Sequence, residues 1–227
     1  MFVDDNFTLN QKRAIALCNE IRRRKIDMEW ICEGRVDQSS EDLFQAMADA
    51  GCKMLYFGIE SGNQKVLDYF QKNITPEESQ RAVKRARTCG IDVIVGSFIV
   101  GAPNESRQDI QNTLKFAERL DIDIPQFNVL GAFPGTDIWD ELSLKGLIDP
   151  NKYWETGAIV SDVFSNVPSN EIREYIHASY RHFLTRPRYI AEQLLLSSKS
   201  KYRLNVILNN LRRIGAISES LRDIDVT

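Results

Sequence analysis

From residue 1 to about residue 149, short apolar runs alternate with longer amphipathic stretches. The runs are Phe2-Val3, 28–32 (MEWIC), 54–59 (MLYFGI), 93–100 (VIVGSFIV) and 127–130 (FNVL). Runs this continuous predict strands covered on both faces, the environment of a parallel sheet flanked by helices. Between them, a hydroxyl followed three positions on by an acid or amide marks each helix start: Thr8 with Gln11, Ser39 with Asp42, Thr75 with Glu78, and Ser106 with Asp109. Pro76 stands at a first helical position, and Gly51 and Gly90 supply the left-handed residue on which helices end.

Five such units predict an α/β protein, either an open doubly wound sheet or a barrel. Polar or Gly-Pro residues follow every run: Asp4-Asp5-Asn6, Glu33-Gly34-Arg35, Glu60-Ser61-Gly62, Gly101-Ala102-Pro103 and Phe133-Pro134-Gly135-Thr136. A doubly wound sheet concentrates ligand groups at one crevice, whereas a barrel feeds every strand into a common rim. Signatures after all five runs favour a partial (β/α) TIM-like barrel. After Asp149 the rhythm stops. Residues 150–168 lack periodicity, and helical patterns cover roughly 169–185, 188–199 and 201–214. The expected organisation is a barrel domain at 1–149, then an irregular segment and a C-terminal helical extension at 150–227.

Composition narrows the partners. Lys+Arg 29 against Asp+Glu 32 give a formal net charge of -3, so no basic field argues for nucleic acid. No stretch has the length of a membrane span and no basic-then-apolar leader opens the chain, so a cytoplasmic protein is expected. The four cysteines, Cys18, Cys32, Cys52 and Cys89, form no CxxC or CxxxCxxC and read as core thiols of a reducing compartment. His177 and His182 are the only histidines, five residues apart in a helical pattern and therefore on different faces.

Among the rim residues, Asp4 and Asp5 can hold a divalent cation, serve as acid and base, or accept loop hydrogen bonds. Glu60, directly after an apolar run, is either at a rim or expensively buried, and the functional reading is preferred.

In order and spacing, FVDDNFT, WICEGRVD (30–37), AGCKMLYFGIESG (50–62), GIDVIVGSFIVGAPNES (90–106) and FNVLGAFPGT (127–136) closely resemble the radical S-adenosylmethionine superfamily, most of all the branch whose members often carry a cobalamin-binding domain ahead of the core. The resemblance covers residues 1 to about 149. It implies a six-unit partial barrel, a [4Fe–4S] cluster held by a CxxxCxxC loop after the first strand, and S-adenosylmethionine cleaved by electron transfer to a 5′-deoxyadenosyl radical. Carried over by motif, Asp4, Asp5 and Asn6 contact the methionyl ammonium, and Arg35, beside Glu33, meets the substrate or the cofactor carboxylate. Glu60 and Ser61 take the ribose hydroxyls, and Ser97, Ile99, Gly101 and Pro103 lie against adenine. The partners implied are a small-molecule substrate and an electron donor protein.

The chain departs from the family in lacking CxxxCxxC, and Met1 already stands near a strand end. The expectation is therefore the larger part of a radical S-adenosylmethionine enzyme, begun at its second strand, without cluster ligands and inactive alone. Its complete form would perform methyl transfer or rearrangement. The competing readings are a non-catalytic binding or scaffold module, and an unrelated metal-dependent lyase or hydrolase using Asp4, Asp5 and Glu60.

Overall fold

A computed structural model describes residues 1–4, 6–149, 165–206 and 208–209. Four parallel strands, β1 (Trp30–Arg35), β2 (Cys52–Glu60), β3 (Val93–Val100) and β4 (Ile124–Val129), form one sheet in the order β1-β2-β3-β4. Strand order follows chain order without reversal, as in a barrel wall. The helices are α1 (Gln11–Arg23), α2 (Glu41–Asp49), α3 (Gln64–Tyr69), α4 (Pro76–Thr88), α5 (Arg107–Arg119), α6 (Asp137–Leu144), α7 (Ser169–Thr185) and α8 (Pro187–Ser197).

One face of the sheet is a packed core and the other is not. Trp30 and Cys32 of β1, Leu55 and Phe57 of β2, and Ile94 and Phe98 of β3 are buried with Leu43, Phe44 and Met47 of α2 and Ala82, Val83 and Ala86 of α4. The alternate positions Glu33, Arg35, Tyr56, Ser97, Gln126 and Asn128 are exposed or half-buried. In register, Arg35 stands beside Gly58, Gly58 beside Ser97, and Ser97 beside Gln126. A row of polar and small residues thus crosses a face that a closed barrel fills with branched apolar side chains.

Local structure departs from the sequence pattern where side chains have better partners. Phe2-Val3 forms no assigned strand. Phe2 runs beside β1, its amide donating to the Ile31 carbonyl at 2.9 Å and its ring meeting Trp30 edge-on, while Val3 is 94% exposed. Asn10, not Thr8, caps α1, accepting from the Arg13 amide at 3.0 Å. Thr8 is fully buried. Its hydroxyl donates to Asn6 Oδ1 at 3.1 Å and accepts from the Arg35 amide at 3.0 Å. Ser40 caps α2, because Ser39 is occupied by the Arg85 guanidinium. Thr75 and Ser106 form the expected capping boxes with Glu78 and Asp109. β1 reaches three residues past the apolar run to Arg35, and β4 begins three residues before its run, at Ile124. At Gly51, φ is +89° and an added Cβ would lie 2.1 Å from the Met28 carbonyl oxygen.

Two compact units divide the chain, Met1–Phe183 and Leu184–Thr227. In the second, α8 carries Gln193, whose Oε1 accepts from the buried Arg203 guanidinium at 2.9 Å. Most of the expected irregular segment, 150–164, and the end of the last expected helix lie outside the described residues. Among the described residues no helix is long and apolar enough to cross a membrane.

Candidate functional site

A cleft of about 410 Å³ opens over the carboxyl ends of the strands. Its walls include Asn6, Glu33, Arg35, Tyr56, Gly58, Glu60, Lys72, Ser97 and Gln126. β1 and β2 contribute residues at their carboxyl ends, where parallel α/β proteins gather ligand groups, and β3 and β4 add Ser97 and Gln126 from mid-strand.

Glu60 is the most constrained of them. It is 9% exposed, its φ is +68°, and the β2–β3 register slips between Gly58 and Glu60. A non-glycine residue in the left-handed region is strained, and a bulge there re-aims a side chain. The carboxylate folds back over Gly58, where an added Cβ would stand 2.9 Å from Glu60 Oε1. Lys72, just beyond α3, donates to the same oxygen at 2.9 Å. The fold therefore keeps a partly desolvated ion pair at the cleft wall.

Glu33 is exposed on the cleft side of β1. Arg35 makes a two-point pair with Asp37 at 2.9 and 3.0 Å, and that guanidinium holds the Asp37 carboxyl below its ordinary range. Ser97 Oγ accepts from Asn128 Nδ2 at 3.2 Å.

The remaining sequence candidates stand apart from the cleft. Asp4 pairs with Arg13 at 3.0 Å and accepts from the Asn6 amide, and these two bonds lower its pKa. Asp5 lies outside the described residues. Ser61 is buried and shares a 2.9 Å hydrogen bond with Thr113. Ile99 packs on Val66, Ala102, Leu130, Ala132 and Leu142. Gly101, with φ +90°, and Ala102 donate their amides to Glu105 Oε2 at 2.6 and 2.8 Å. The Pro103 carbonyl accepts from Asn166. Lys72, Tyr56, Gln126 and Asp37 line the cleft without any local sequence signal. Lys72 reaches it only because α3 turns the chain back over β2.

The thiols do not fit an iron–sulfur cluster. All four are buried, and burial pushes Cys18 up to about 11. Cys32 is raised first by its hydrogen bond to Cys52 and then by burial. Cys52 opens β2, at the opposite end of the sheet from the cleft. Among the described residues no group of three His, Cys, Asp or Glu side chains could hold a metal ion. Asp4 and Glu60 face cations, Arg13 and Lys72, rather than each other, against the metal-dependent alternative.

Residues 1–117 match the family described as the Radical SAM superfamily. Over 195 residues the chain is 35% identical to an uncharacterized methyltransferase of Pyrococcus horikoshii, covering 85% of this chain and 42% of that protein. Over 194 residues it is 26% identical to the anaerobic magnesium-protoporphyrin IX monomethyl ester cyclase of Rubrivivax gelatinosus, covering 84% of this chain and 34% of that protein. The chain therefore spans less than half the length of both relatives. Its fold matches the radical S-adenosylmethionine methyltransferase TsrM of Kitasatospora setae, a structure with cobalamin and a [4Fe-4S] cluster bound. The TM-score is 0.57 at 23% identity, over 63% of this chain and 30% of that one.

Proposed function

Because this chain belongs to the radical S-adenosylmethionine superfamily, we propose that the cleft over β1–β4 binds S-adenosylmethionine. The observation that carries the reading is Glu60, strained, bulged and bonded to Lys72 across the floor that Gly58 leaves open. A carboxylate kept on a cleft wall at a conformational cost suits a pair of ribose hydroxyls, which need an acceptor.

The rest of the cleft divides by charge. Asn6 and Glu33 offer acceptors to the methionyl ammonium, and Lys72 and Arg35 offer donors to its carboxylate. Ser97, in the cleft lining, begins the wall for adenine, and Ile99 with the turn at Gly101 and Pro103 continues it beyond that lining along the end of β3. Ser61, buried against Thr113 and accepting from the Asn63 amide, holds the turn after β2 rather than touching the ligand. Asp4 orients Asn6 through the 3.2 Å bond from the Asn6 backbone amide to Asp4 Oδ1.

Bound there, S-adenosylmethionine supplies an activated methyl or adenosyl group for methyl transfer to, or rearrangement of, a small-molecule substrate. The chain's own work is to bind, orient and shield. The cluster ligands are not among its cysteines, and no residue is assigned to cobalamin. By itself the chain binds the nucleoside without cleaving it, and reductive cleavage requires the cluster and an electron donor protein.

Equilibrium dialysis with labelled S-adenosylmethionine tests this. The 227-residue chain is expected to bind one equivalent without iron, and Glu60→Ala about ten-fold more weakly. No saturable binding, or equal binding by the variant, contradicts the reading.

A further inference from the structure

The compact unit that starts at Leu184 carries an apolar face with no residue in the cleft. Ile190, Leu194, Leu195, Leu204 and Leu208 are all exposed, Leu194 at 70% and Leu195 at 59%. Scattered exposed leucines are ordinary. A group of them on one face marks an interaction surface.

The helical period sets that face. At 3.6 residues per turn, α8 places Ile190, Ala191, Leu194 and Leu195 within one arc of about 140°, while Tyr189 and Gln193 lie on the opposite side and are buried. The buried side is tied to the helical segment 201–206, where the Arg203 guanidinium, 1% exposed, donates to Gln193 Oε1 at 2.9 Å. Leu204 stands beside Arg203 and Leu208 follows one turn on, both exposed. The unit thus keeps a polar contact inside and leaves its leucines outside, the reverse of a helix packed on a core.

Charge indicates what this face meets. Between 184 and 209 the cations Arg186, Arg188, Lys199, Lys201 and Arg203 stand against one acid, Glu192, in a chain whose formal net charge is -3. The remainder of the chain is therefore more acidic than the whole, and attraction to an anionic surface has to come from here. The Arg188 side chain is 90% exposed, and its 2.7 Å pair with Glu192 is a surface pair, weak enough to be exchanged for a phosphate. Lys199, in the turn after α8, and Lys201, at the start of the next helical segment, are exposed and continue the basic edge. Nucleic acid has no use for the leucines, and a purely apolar partner has none for the cations. An apolar strip bordered by lysine and arginine has the chemistry of a helix lying in the interface of an anionic bilayer, with leucines at the acyl boundary and cations at the headgroup phosphates.

We propose that the unit from Leu184 docks this protein on an anionic lipid surface, Ile190, Leu194 and Leu195 entering the headgroup boundary while Arg188, Lys199 and Lys201 pair with lipid phosphates. The attachment is peripheral, since no described helix is long and apolar enough to cross a membrane. It does not depend on what the cleft binds.

Co-sedimentation of the 227-residue chain with vesicles tests the proposal. With vesicles of about seven parts phosphatidylcholine to three parts phosphatidylglycerol, the wild type is expected to partition about ten-fold more strongly than with phosphatidylcholine alone, and less as salt rises. The double variants Leu194→Ser with Leu195→Ser, and Lys199→Ala with Lys201→Ala, should each weaken partition to the anionic vesicles about ten-fold. All four positions are exposed, so the melting temperatures should match wild type, which separates docking from folding. No partition to the anionic vesicles, equal partition to both kinds, or variants that partition like wild type overturn the proposal. Light scattering of the lipid-free chain is expected to show a monomer. A dimer that the Leu194→Ser, Leu195→Ser variant dissociates would assign the face to a second copy and overturn the proposal.

Discussion

Lys72 Nζ lies 2.9 Å from Glu60 Oε1, joining the loop beyond α3 to the strained end of β2. The lysine side chain is 36% exposed and the glutamate side chain 11%, so the pair is only partly desolvated and neither charge is lost to the solvent. Together they bring an acceptor and a cation to one wall of one cleft.

Lys72→Ala leaves Glu60 without its cation and removes a donor for the ligand's carboxylate. Calorimetric titration with S-adenosylhomocysteine is expected to show affinity down about ten-fold or more, the worth of one charge-assisted hydrogen bond. In a double-mutant cycle with Glu60→Gln, the two losses should be non-additive by about 1 kcal/mol or more, because they share one interaction.

Gly58→Ala separates the site from the fold. The added Cβ meets only the mobile end of Glu60, 2.9 Å away, so the carboxylate swings aside at small cost to stability. The expected outcome is a melting temperature within about 3 °C of wild type and a marked loss of nucleoside affinity. Gly51→Ala reverses the pattern. There φ is +89° and the clash is with the Met28 backbone, so unfolding free energy should fall by at least about 2 kcal/mol.

Thr8→Val tests how β1 is held at its rim end. The hydroxyl is buried and satisfies the Arg35 amide, and an isosteric methyl leaves that donor unpaired. A loss of about 1–3 kcal/mol is expected in urea titrations, with weaker ligand binding because Arg35 is displaced.

How far the sequence reveals this protein depends on which interaction decides each feature. β3 is legible to the residue, because the run VIVGSFIV, bounded by Asp92 and Gly101, is β-branched-rich and too short for a helix. Thr75 and Ser106 were legible as caps because a capping box is local. Thr8 and Ser39 have the same local pattern yet do other work, since Arg35 and Arg85 reach them across the fold. The apolar run under β1 ends at Cys32, and Glu33 and Arg35 have the character of loop residues. They belong to a strand whose other face is a cleft. Glu60 was singled out by its position after a buried strand, but its partner Lys72 was not, because twelve residues and a short helix separate them.

Glu105 predicts a pH dependence of stability whose sign follows from burial. Its folded pKa, about 7, lies above the unfolded value of about 4.3. Its contribution to stability is thus fully present below the unfolded value, declines as pH rises between the two, and is lost above neutrality. The decline is of the order of 3 kcal/mol, read as a falling melting temperature across that window. In Glu105→Gln this part of the curve should be flat.

The buried thiols predict inertness. In the native chain none of Cys18, Cys32, Cys52 or Cys89 should react rapidly with a thiol reagent, and all four should react once urea unfolds it. Rapid reaction of two or more in the native state would contradict the placement of these residues in the core.

The most direct measurement of the central claim is backbone-amide NMR of the 227-residue chain titrated with S-adenosylhomocysteine. The predicted result is saturable shifts concentrated at Asn6, Glu33, Arg35, Gly58, Glu60, Lys72, Ser97 and Gly101. Shifts confined instead to the polar groove between Gln64 and Glu78 on α3 and α4, or no saturable shifts at all, would contradict it.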